Sequence, residues 1–186
     1  MEVGAGRGYW ANQLSWAGLA VAAYEIEPPD KLENGSFPRA EGQEDVWYPV
    51  EAVDSLSFDS RSGHVLFLCL PPGWGSPMAS DALTEFERAG GDRLIYIGEP
   101  KGGKTGNDAF FDALSDRWTL ETDDSRSLPD PSRCGTRLRR TPSVAPGTPG
   151  PDSDGRQRSC HGAGWTGQGP VPAAMITELL HADAKA

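Results

Sequence analysis

Near the start of the chain, Glu2-Val3-Gly4-Ala5-Gly6-Arg7-Gly8 sets three glycines at alternate positions directly behind an acidic residue. Glycine lacks a Cβ, so such a run lets the backbone turn sharply and bring its N–H groups against a ligand. The spacing is G-x-G-x-G, and Tyr9 occupies the place where the dinucleotide pattern G-x-G-x-x-G wants its third glycine. Glu25 follows Gly8 by 17 residues, at the end of the apolar stretch Leu19–Tyr24. A carboxylate at such a strand end can accept hydrogen bonds from both hydroxyls of a ribose. Strand, glycine loop, helix, strand and acid together point to a nucleoside-containing cofactor.

A second glycine loop, Gly98-Glu99-Pro100-Lys101-Gly102-Gly103-Lys104-Thr105, matches the phosphate-loop pattern G-x-x-x-x-G-K-[ST] letter for letter. It sits between an apolar strand and a helix, the context that pattern requires, and taken alone it implies an ATP- or GTP-binding protein. Three features oppose that. Only 81 residues follow Thr105, and none of them forms an apolar strand ending in a magnesium-holding Asp, the stretch TLETDD being short and polar. Two cofactor loops in one small sheet are also one too many.

Other reactive side chains form no constellation. The three cysteines (Cys69, Cys134, Cys160) are an odd number without tight spacing, as expected of a reducing compartment. Cys160-His161 lacks the second pair a zinc site needs. Three histidines, two of them near the C-terminus, leave no Ser–His–Asp arrangement. Cys69 lies in an apolar run and reads as a small buried hydrophobe. His64, at the start of that run, reads as exposed. Arg137, Arg139 and Arg140 read as a solvated strand edge.

Elements that would position the two loops alternate over the first 140 residues. A strand ends at Val3, and Trp10 and Leu14 at i, i+4 mark a helix over Tyr9–Trp16, with Gly18 as its stop. Leu19–Tyr24 reads as a buried strand, and His64–Cys69 as one covered on both faces. Helical spacing recurs over Met78–Arg88, strand character over Leu94–Ile97, and a helix follows around Phe110, Phe111 and Leu114. Trp118–Glu121 and Thr136–Arg139 complete the series. Such alternation predicts an α/β fold, a Rossmann-like open and mainly parallel sheet flanked by helices, with its ligand at the carboxyl ends of the strands.

Composition bounds the rest. The formal charge is −10, and residues 1–128 carry 22 acids against 10 bases, so no broad basic face is available for nucleic acid. No apolar run reaches the roughly 20 residues of a membrane span, and no signal peptide is visible, so the chain is expected in the cytoplasm. Residues 141–172 contain 13 Gly plus Pro and read as a disordered linker, because they offer too little apolar surface to offset ordering entropy. Met175, Ile176, Leu179 and Leu180 mark a short helix within the final segment, 173–186.

With these motifs in place, residues 1–140 resemble a class I S-adenosylmethionine-dependent methyltransferase domain of a little-characterised bacterial subgroup. MEVGAGRGYW is similar to that family's glycine motif, AAYEIEPP to its ribose-binding strand end, HVLFLCLPPGW to its fourth motif and DRLIYIGE to its fifth strand. The resemblance implies the methyltransferase type of sheet and S-adenosylmethionine as cofactor. It implies that Gly4, Ala5, Gly6 and Gly8 border the methionine part, that Glu2 holds the ammonium, and that Glu25 holds the ribose diol. Asp54 would meet the adenine amino group, while Leu70, Pro71 and Pro72 would border the transferred methyl. Glu99 is a candidate base. Members that methylate amino nitrogens usually carry Asp or Asn where Leu70 stands, so the resemblance points away from nucleic-acid bases and toward a small-molecule or protein acceptor. Gly98–Thr105 becomes a family turn. The family also places a longer first strand and a preceding helix before the glycine loop, so a shortened chain and an inactive remnant are the alternatives to a working enzyme.

Overall fold

The computed structural model describes residues 1–27, 46–53, 63–123 and 134–140. Ten elements lie among them, in the order β1 (Glu2–Val3), α1 (Tyr9–Trp16), β2 (Ala23–Glu25), β3 (Glu51–Ala52), β4 (Val65–Cys69), α2 (Met78–Arg88), β5 (Arg93–Gly98), α3 (Asp108–Arg117), β6 (Trp118–Asp123) and β7 (Cys134–Arg140). They form a mixed α/β fold, a seven-stranded sheet in the order β3-β2-β1-β4-β5-β7-β6 with helices against it. The pairs from β3 through β5 are all parallel. β7 runs antiparallel to β5, and β6 antiparallel to β7, so the sheet closes with a reversed edge pair.

Period-2 alternation in β4 and β5 explains the helices on both faces. Leu66, Leu68, Leu94 and Tyr96 share one apolar cluster with Ala79, Ala82, Leu83 and Phe86 of α2 and Phe110 of α3. Phe67, Ile95 and Ile97 belong to another, with Leu14 of α1. A strand whose odd and even positions both meet a helix has to be apolar throughout, which is why VLFLC carries no polar side chain. α2 ends as its dipole favours, with Asp81 in the first turn and Arg88 in the last. Asn107 caps α3, its side-chain oxygen accepting from Phe110 N at 3.1 Å.

The expected boundaries hold for α1 and α2 and shift elsewhere. Gly18 has φ +89° and donates to Ser15 O, while Leu19 N reaches Leu14 O at 3.1 Å. Leu19 is thus spent in the helix cap, and the strand expected from there begins only at Ala23. Its partner β1 supplies just two residues, Glu2 opposite Ala23 and Val3 opposite Tyr24, so little of the apolar stretch can be laddered. β3 comes from an exposed Glu-Ala dipeptide that carries no strand signal. The expected linker at 141–172 and helix at 173–186 lie outside the described residues. Among the described residues no helix is long and apolar enough to cross a membrane.

Chain direction splits at the centre of the sheet. From β1 the chain moves outward to β2 and β3 on one side, then returns to β4 and β5 on the other. Loops leaving β1 and β4 therefore diverge and open a crevice between them at the carboxyl ends of the strands, the usual ligand position in open α/β sheets.

Candidate functional site

A cavity of about 1360 Å³ occupies that crevice, walled by the loops after β1, β2 and β4 and by one face of α2. The glycine loop forms its floor. Gly4, Gly6 and Gly8 all lie at positive φ, +74°, +54° and +75°, in the left-handed region that side chains disfavour. Gly4 N and Ala5 N both donate to Tyr24 O at 2.9 and 3.0 Å, fixing the loop to β2. Space is as restrictive as the dihedral at Gly4, where an added Cβ would collide with the Met78 thioether methyl of α2.

Glu25 clamps the loop from the end of β2. One carboxylate oxygen accepts from Gly6 N at 2.9 Å and the other from Ile26 N at 2.9 Å. A carboxylate carries about four lone-pair sites, so two remain for hydroxyl donors from the cavity. The sequence brings this acid to the loop because β2 ends one residue past its pairing with Val3.

Glu2 is the most unusual group present. Its side chain borders the cavity with only 2% of the residue exposed, and its Oε2 has no hydrogen-bond partner. Burial pushes its carboxyl up to about 8, and the nearby Glu25 charge adds to the rise; the Ala11 N–H at the first turn of α1 and the terminal ammonium of Met1 pull the other way. An unpaired buried carboxyl costs stability unless a ligand satisfies it.

Leu70, Pro71 and Pro72 border the opposite side, following β4. Leu70 takes φ +52°, uncommon for a branched side chain, and its N–H donates to Ile97 O at 2.7 Å. The segment is held from behind by the second glycine loop. Pro72 forms an isolated bridge with Thr105, Gly73 N donates to Lys104 O, and Gly106 N donates to Pro71 O.

Not every expected site residue reaches the cavity. Gly8 lies beneath it, its absent Cβ leaving room for the 46–50 segment, since a methyl there would sit 2.8 Å from Tyr48 O. Glu99 points into its own turn, where its carboxylate accepts from Lys104 N at 2.6 Å. Asp54 lies outside the described residues, although its neighbour Val53 borders the cavity and donates to Glu25 O at 3.1 Å. Behind the Glu99 turn, Tyr96 of β5 is buried, its hydroxyl bonding Glu99 O and the Thr105 hydroxyl, both at 2.8 Å. A separate small cleft beside the start of α3 is lined by the exposed Trp74, away from this site.

The phosphate-loop match has its donors turned inward. Glu99 N donates to the Thr105 hydroxyl at 2.7 Å, Gly103 N to Pro100 O at 2.9 Å, and Lys104 N to Glu99. Thr105 is buried, and Lys101 bonds Asp112 of α3. A phosphate cradle needs those N–H groups facing open space.

Several lining residues carried no signal in the sequence. Arg7, Tyr9, Trp10, Trp47 and Glu27 all border the cavity, as do Met78, Asp81 and Glu85 of α2. The i, i+3, i+7 spacing of those last three shows one helix face, but nothing in the sequence says that this face looks onto the glycine loop. Cys69, expected as a buried hydrophobe, is half-buried and borders the cavity too. Comparison of the chain with protein-family models, with curated proteins and with solved structures returns no match.

Proposed function

We propose that the chain is an S-adenosylmethionine-dependent methyltransferase acting on a small-molecule or protein acceptor, with its cofactor in the crevice between β1 and β4. The observation that carries this is the buried, unpartnered Glu2 oxygen bordering the cavity, next to the glycine loop that Glu25 clamps. An orphaned carboxyl oxygen there suits a cationic donor, and the cofactor's ammonium is one. The doubly wound order of the parallel strands supports the same position for a nucleoside ligand.

When bound, the cofactor would supply a methyl group activated on a sulfonium, with a neutral thioether as its leaving group. The chain's own part is to position and to exclude water. Glu2 gives up its proton and pairs the ammonium. Glu25 accepts the ribose hydroxyls while keeping Gly6 in place. Gly4 and Gly6 let the backbone approach without side chains in the way. Leu70 and Pro71 present an apolar wall to the reacting centre, and the Leu70 side chain offers no hydrogen-bond acceptor to a nucleophile.

Calorimetric titration with S-adenosylhomocysteine, beside ATP with magnesium, tests the proposal. Saturable binding of the homocysteine compound alone supports it. Binding of ATP that is lost in Lys104→Ala would shift the function to the second loop. Binding of neither by a chain folded by circular dichroism would mark an inactive remnant.

A further inference from the structure

The cavity is too large and too one-sidedly charged to be explained by a cofactor alone. Its volume, about 1360 Å³, exceeds the roughly 300–1,000 Å³ typical of single small-molecule sites. Five acidic residues line it (Glu2, Glu25, Glu27, Asp81 and Glu85), of which Glu2 joins the negative charge only once a ligand draws off its proton, and Arg7 is the one basic residue among the described lining. The cofactor's sulfonium and ammonium, set against its own carboxylate, offset only part of that excess. Carboxylates around a partly enclosed cavity focus a negative potential that concentrates cations and repels anions.

One corner of the same cavity is aromatic. Tyr9 and Trp10 at the start of α1 meet edge to face, with ring centres 5.3 Å apart and planes at 78°. Tyr9 and Trp47 meet at 6.0 Å and 90°. Tyr9 thus joins Trp10 and Trp47 into one aromatic corner of the cavity lining. Trp47 is 42% exposed and Ile26, also a lining residue, 68%, so the cavity lining includes exposed apolar surface on an otherwise acidic chain. Aromatic faces attract ammonium groups, and they cover apolar bodies.

We propose that the methyl acceptor is a small apolar molecule carrying an alkyl amine, captured as its ammonium in the corner formed by Tyr9, Trp10 and Trp47 within the acidic cavity. This rests on the cofactor assignment above. Leu70 fits the same acceptor. The nitrogen of a base or amide has a delocalised lone pair that a carbonyl neighbour must help to localise, whereas an alkyl amine needs only to lose a proton. The captured ammonium passes that proton to a carboxylate of the wall. The freed lone pair then bonds the methyl carbon, the C–S bond breaks toward sulfur, and the product leaves as the N-methylated ammonium.

The full chain saturated with S-adenosylhomocysteine would be titrated with 2-phenylethylamine, 2-phenylethanol and 3-phenylpropionate, which share a ring and differ chiefly in charge. The amine should bind at least about tenfold more tightly than the alcohol, and the carboxylate weakest of all. Trp47→Ala should cost the amine about tenfold while leaving homocysteine-compound affinity unchanged, with Trp47→Phe restoring most of the loss. Equal binding of the three probes, a preference for the carboxylate, or no binding of any overturns the acceptor class and leaves the cofactor site standing. Failure of S-adenosylhomocysteine itself to bind overturns both.

Discussion

If Glu2 pairs the cofactor's ammonium, cofactor binding must release a proton, and this is measurable. In the free chain the carboxyl titrates near 8, so at pH 6 about one molecule in a hundred carries the charge and at pH 8 about half do. A ligand that needs the carboxylate binds only that fraction. Affinity for S-adenosylhomocysteine should therefore rise about 50-fold between pH 6 and pH 8, then level off. Titrations at pH 6.5 in two buffers of different ionisation enthalpy should differ by the heat of nearly one proton. Glu2→Gln keeps an acceptor for the Ala11 N–H but cannot ionise, so its affinity should stay flat with pH and its buffers should agree. Wild-type affinity constant within twofold over that range, with no buffer dependence, would refute the reasoning, because Glu2 would then remain protonated beside the ligand.

The same carboxyl sets a pH profile for the empty chain. Its folded value lies above the ordinary 4.5, so the stability it contributes through protonation is complete below that value and is lost as pH rises through about 8; urea midpoints should fall over this window and flatten in Glu2→Gln. Glu25→Ala should weaken cofactor affinity by about 1–3 kcal/mol, and by the upper part of that range because Gly6 N loses its acceptor as well; unchanged calorimetric affinity would remove Glu25 from the site. Gly8→Ala should destabilise the fold by about 1–3 kcal/mol in chemical denaturation, since a methyl would face Tyr48 O at a left-handed dihedral. Thr105→Val should cost a similar amount, leaving Glu99 N and the Tyr96 hydroxyl without their shared partner.

Helices α1 and α2 were legible to the residue because their signals are local: an i, i+4 apolar pair and a glycine stop for one, a full apolar stripe for the other. Strands β4 and β5 were legible within a residue or two because burial on both faces leaves an unbroken apolar run. β3 was invisible, being two exposed residues whose place is set by Tyr24 and Glu25 beside them. The glycine loop and Glu25 could be joined in advance because a short helix between parallel strands returns the chain to the same sheet end. Trp47 and Asp81 could not. Their approach to the loop depends on where the 46–50 segment meets Arg7 and Gly8 and on the rotation of α2, and neither leaves a mark in sequence spacing. Likewise, the letters of Gly98–Thr105 match a phosphate cradle, but letters do not record which way an N–H points.

The bridge between Pro72 and Thr105 makes the second glycine loop a splint for the wall of the first crevice. Tyr96, Glu99, Thr105 and Gly106 border no part of the cavity, yet through Pro71 and Gly73 they hold the segment that does. A genetic selection for cofactor binding would consequently return hits in both loops, and a map drawn from those hits would show one continuous ligand footprint larger than the true one. Only a readout that separates folding from affinity would divide the splint from the surface it supports.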